Sequence, residues 1–114
     1  MVYSSSGSGD DLRQHKRFLV QGVASLETGS EIIRGELLNI GAGGLLVLTP
    51  VELPKGMPVR VRFIVKDYPI EVVVAGNIAH SAKSTVGVMF AKEPDGLDEL
   101  LLWLEAGFMA SMLV

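Results

Sequence analysis

The sequence predicts an all-β fold, a six-stranded antiparallel β-barrel, closed or nearly so, followed by one C-terminal α-helix. Three observations carry this. From Phe18 onward, short apolar runs recur between Gly, Pro and charged breaks, placing strands near 18–27, 31–39, 44–49, 57–66, 69–80 and 84–91. The connections between them are short and carry no helical pattern, which favours antiparallel neighbours over helical crossovers. After Pro94 the apolar period changes to that of a helix.

Residues 1–11, "MVYSSSGSGDD", are small and polar and are expected to form a flexible leader or linker, leaving 12–114 as the domain. The stretch "LLNIGAGGLLVL", Leu37 to Leu48, joins the second and third strands through three glycines in four positions. A tight hairpin explains them, and so does a turn that lets a ligand approach the backbone. "VRVRFIVK" alternates cleanly, with Val59, Val61, Phe63 and Val65 on one face. "KDYP" is a short turn into "IEVVVAGNIAH", and "TVGVMF" sets Val86, Val88 and Phe90 together on the last strand. Asp95 is expected to cap the helix, with Asp98 and Glu99 near the positive end of its dipole. Leu97, Leu100, Leu101, Leu104, Phe108 and Met112 form the stripe that should lie on the barrel. Leu102, Met109 and Leu113 form a second apolar stripe, a candidate interface for a homodimer or another protein.

With 114 residues there is room for one domain, and 48% hydrophobic against 20% charged residues suits a packed globule. No cysteine is present, so disulfides, thiolate zinc sites and a cysteine nucleophile are excluded, and the cytoplasm is the expected compartment. No apolar run approaches the roughly 18 residues of a membrane span, and no membrane partner is expected. A net charge of -3 argues against general electrostatic binding to nucleic acid. Single-strand binding would also want aromatic platforms along a basic groove, and the aromatics sit mostly at core positions.

The basic residues that do cluster are Arg13, Lys16 and Arg17, where the leader gives way to the first strand. In an antiparallel meander the start of the first strand lies beside the end of the second, so Arg13 and Arg17 should converge on Asn39, Gly41 and Gly44. Guanidinium groups donate paired hydrogen bonds to phosphate or to the O6/N7 edge of guanine, the amide of Asn39 can both accept and donate, and bare glycines allow close approach. A guanine nucleotide uses all of these features.

Arg13-x-x-x-Arg17 followed by Asn39-x-Gly41-x-x-Gly44 resembles the RxxxR and (D/N)xSxxG motifs of PilZ domains, bacterial receptors for the second messenger cyclic di-GMP. "VVVAGNIAH", Val72 to His80, and "GVMF", Gly87 to Phe90, are similar to that family's closing hairpin. The resemblance spans about residues 12 to 105. It implies a PilZ-like barrel, cyclic di-GMP as ligand with no other cofactor, and a signalling role exerted through a downstream protein. It also implies that Arg13 and Arg17 grip guanine and phosphate, that Asn39 contacts a guanine, and that Gly44 leaves room at the turn. Gly41 stands where the family has serine, which removes a hydrogen bond worth about 0.5–1.5 kcal/mol. Leu12 occupies a position that can be arginine in the family, and leucine leans towards a single bound ligand. His15 and Lys16, within the arginine loop, are possible ligand contacts.

Other chemistry finds little support. His15 and His80 are far apart in the chain and have no cysteine to join them at a metal. Ser81, Ser84 and Thr85 sit beside His80 without a nucleophile-elbow sequence, and no Gly-Lys-Ser/Thr follows the glycines, so neither a hydrolase nor a P-loop is expected. Trp103 is expected to be partly buried at the barrel edge. The expectation is a non-catalytic receptor whose arginine loop changes conformation on binding. The alternative is a PilZ-like interaction module with a degenerate ligand site, acting through Leu102, Met109 and Leu113.

Overall fold

The computed structural model describes residues 16–112, with side chains as far as Gly107. The strands are β1 (Arg17–Leu19), β2 (Gly22–Glu27), β3 (Ile32–Gly41), β4 (Gly44–Leu48), β5 (Pro58–Val65), β6 (Val72–Ser81) and β7 (Thr85–Phe90), and the helix is α1 (Leu97–Met112). All pairings are antiparallel. The order β3-β2-β5-β6-β7-β4 closes through a β3–β4 pairing into a six-stranded barrel, and β1 extends the edge of β3.

Alternation decides which side chains go inside. Val59, Val61, Phe63 and Val65 are all buried, as "VRVRFIVK" predicts, and so are Val86, Val88 and Phe90. Leu26, Leu37, Ile40 and Leu45 complete the middle of the core. Thr49 is the exception in chemistry, because its buried hydroxyl has no hydrogen-bond partner among the described residues.

Two departures from the sequence reading have clear physical causes. The strand expected over 18–27 is two strands, β1 and β2, interrupted at Val20 and Gln21. Both pair with β3, but only β2 also pairs with β5, whose last residue Val65 sits opposite Gly22. Gln21 C=O still accepts from Lys66 N–H at 2.8 Å, but from Val20 back the chain leaves the barrel ring and its backbone is held on the β3 side, through bonds such as Val20 N–H to Leu38 C=O at 3.1 Å.

The helix also starts later than Asp95. The Leu97 N–H donates to the Pro94 carbonyl at 3.2 Å, closing a tight turn with Gly96 at φ 85°, and the first helical bond runs from Leu100 N–H to Gly96 C=O. Gly96, not Asp95, therefore holds the N-cap position, in a left-handed conformation that favours glycine. Asp98 and Glu99 fall in the first turn as expected. Leu97 and Leu100 are fully buried, and Leu101 and Leu104 pack partly buried on the core. Phe108 and Met112 lie outside the described side chains. No helix among the described residues is long and apolar enough to cross a membrane.

Candidate functional site

A single extra residue in β3 turns the site outward. The β3–β4 register runs Leu37↔Val47 and then Asn39↔Leu46, so Leu38 is a bulge. Without it Asn39 would follow Leu37 into the core. With it Asn39 faces out while Ile40, its neighbour, is wholly buried. β6 repeats the device at Ala79, where the register passes from Ile78↔Val88 to His80↔Gly87. The outcome is one outward row across five strands: Leu19, Asn39, Leu46, Gly87 and His80.

Arg17 joins this row from β1. It pairs in register with Gly41, two residues along from the Leu19↔Asn39 pair, and its Nη2 donates to Asn39 Oδ1 at 2.9 Å. The predicted convergence of the arginine segment on the Gly-rich hairpin is therefore present for Arg17. Because guanidinium can only donate, the amide oxygen must face it, which leaves the Asn39 Nδ2 as a donor for another group. Elsewhere on the barrel Arg62 is held by Glu27 at 2.8 Å and by Glu71 at 3.6 Å. Arg17 meets only a neutral amide among the described residues, so its charge stays uncompensated there.

Lys16 Nζ lies 2.6 Å from Glu105 Oε2 on α1, a pair that ties the start of β1 to the helix. With Lys16 73% and Glu105 40% exposed, such a pair contributes at most about 1 kcal/mol. Arg13 and His15 lie outside the described residues. Leu102 is 67% exposed on α1, whereas the Met109 and Leu113 side chains lie outside the described part.

The glycines serve the barrel itself. None of Gly41, Gly43 and Gly44 has a positive φ. A Cβ on Gly44 would run into the carbonyl oxygen of Val88 on β7, so close β4–β7 pairing requires glycine there whatever binds outside. A Cβ on Gly41 would stand 2.6 Å from the Lys16 carbonyl oxygen and 3.0 Å from Arg17 Cδ. The space a serine would use is already occupied by β1.

Beside Arg17 a cleft of about 690 Å³ opens between β1 and α1, bounded by the residues from Lys16 to Leu19 and by Trp103, Leu104, Glu105 and Gly107. Trp103 is 40% exposed and packs on Tyr68 with ring centroids 5.1 Å apart and planes 51° apart. Sequence reasoning reached Trp103 only as a residue at the barrel edge and missed Tyr68 and Glu105, because nothing local in the chain signals contacts so distant in sequence. No grouping of three or more His, Cys, Asp or Glu suited to a metal occurs among the described residues.

The model of the PilZ domain family matches residues 11–105. The chain belongs to the PilZ domain family. Members of this family are binding modules built as receptors for cyclic di-GMP. No curated protein sequence matches this PilZ domain. Among solved structures it is similar to the Bacillus subtilis inhibitor of motility MotI/DgrA, with a TM-score of 0.71 and 16% identity over 86% of this chain and 51% of that one. The likeness is one of fold, and the PilZ domain spans about half of that protein's length.

Proposed function

We propose that this PilZ domain is a non-catalytic receptor for cyclic di-GMP, acting in second-messenger signalling in the bacterial cytoplasm through a downstream protein. The observation that carries the reading is the Arg17–Asn39 hydrogen bond, which joins the two motif segments on one outward face. The fold supplies the rest. Asn39 keeps a free amide donor for the O6 or N7 edge of a guanine, and Arg17 has further donors for phosphate. Arg13, four residues upstream, supplies a second guanidinium, and His15 and Lys16 fall between the two arginines in sequence. Binding draws the arginine loop onto the barrel and so creates a new surface for a partner.

The test is isothermal titration of cyclic di-GMP, with GMP as control, into the native chain and into Arg13→Ala/Arg17→Ala. Saturable binding to the native chain, lost in the double variant with its circular dichroism unchanged, is the expected result. Equal binding by the double variant would sink the assignment.

A further inference from the structure

The proposed function uses the contact of Arg17 with Asn39, and the cleft that Arg17 also lines has no role in it. We propose that this cleft takes the second base of the dinucleotide, with the exposed surface of Trp103 as its stacking platform. The inference rests on the reading of the domain as a cyclic di-GMP receptor.

The lining has the chemistry of a nucleobase pocket. Trp103 reaches the cleft while Tyr68 packs against its ring from outside the cleft, so the indole is a braced aromatic surface still 40% open to solvent. An aromatic platform held in this way loses little freedom when a ring stacks on it. Leu19, 89% exposed, and Leu104 supply apolar flanks. Gly107 keeps its end of the cleft clear, since even a Cβ there would meet nothing within 4 Å. The volume, about 690 Å³, falls within the range of small-molecule sites.

Charge fixes the orientation. Among the described residues two cations border the cleft, and Glu105 neutralises Lys16. Arg17 is left, among those residues, as the cation that can hold a phosphate, and it both bonds Asn39 and lines the cleft, which Asn39 does not. A ligand with two purines joined through phosphates matches this order of subsites: the first base at Asn39, phosphate at Arg17, the second base at Trp103. A mononucleotide fills only part of it.

Trp103 is the chain's sole tryptophan, so its emission reports this subsite directly. Cyclic di-GMP is titrated into the full chain with fluorescence and calorimetry read on the same sample, and calorimetry is repeated on Trp103→Phe and Trp103→Leu. The expected result is saturable quenching with the calorimetric Kd, near-native affinity for Trp103→Phe, and affinity weakened roughly tenfold for Trp103→Leu. Calorimetric binding with unchanged emission overturns the proposal and leaves the receptor reading intact. So does quenching accompanied by native affinity in Trp103→Leu, because the indole would then sense binding without stacking. No heat with the native chain defeats both readings together.

Discussion

Replacing Gly41 by serine restores the residue found at that position in the family motif, and on motif grounds alone it should tighten ligand binding. The structure predicts the opposite. The new Cβ would sit 2.6 Å from the carbonyl oxygen of Lys16, a backbone atom that no rotamer change can move, and 3.0 Å from Arg17 Cδ. β1 must then shift away from β3, and it carries Arg17 away from Asn39. Overpacking of this kind costs about 1–3 kcal/mol. With roughly 5 °C lost per kcal/mol in a domain of this size, the melting temperature of Gly41→Ser should drop by about 10 °C. Thermal unfolding followed by circular dichroism measures the first effect, and titration with cyclic di-GMP measures the second, expected as weaker binding. A variant that melts with the native protein and binds tenfold more tightly would refute the reasoning, since it would show that β1 yields to the side chain without losing the site.

Gly44→Ala should destabilise the ligand-free domain by about 2 kcal/mol, because its Cβ collides with the Val88 carbonyl across the β4–β7 seam; an unchanged urea midpoint would contradict this. Thr49→Val removes a buried hydroxyl with no partner among the described residues and keeps the shape, so a gain of about 1 kcal/mol is expected in the same unfolding assay. The Glu93 carboxyl is held above its ordinary value of 4.5 by a hydrogen bond to Asp98 and by that group's charge, with a smaller contribution from desolvation. The folded state thus binds this proton more tightly than the unfolded chain. The resulting stability is fully present below 4.5 and is lost as pH rises through the raised value, so Glu93→Gln should flatten that part of the profile. A carbon-13 titration placing Glu93 at or below the ordinary value would contradict the assignment.

The barrel was legible because its strands obey a two-residue period, as in Val59 to Val65, and the turns between them are short. The convergence of Arg17 on Asn39 was legible for the same reason, since antiparallel order alone brings the two segments together. The break at Val20 and Gln21 was not, because it is set by where β5 stops, a property of another strand. The bulge at Leu38 was hidden as well: a run of apolar residues looks the same with or without a change of phase. Asp95 has the right chemistry for a helix cap, but the turn closed by Pro94 and Gly96 displaces it by one residue. The sequence allows the glycines either a tight hairpin or room for a ligand, and it does not show that Gly41 and Gly44 make room for the chain's own backbone. The cleft depends on Trp103, Tyr68 and Glu105 meeting β1 across the fold, and no local pattern encodes that.

The one-sided attachment of β1 has a kinetic consequence. β2 is zipped along both edges, so its amides should exchange with solvent only when the barrel as a whole opens. β1 is bonded along one edge over three residues, and it can peel from β3 without disturbing any strand of the ring. The amides of Phe18 and Val20 should therefore exchange orders of magnitude faster than that of Leu26, and cyclic di-GMP should slow them selectively. Arg17 rides on a strand that can open by itself, next to a barrel that has no need to respond.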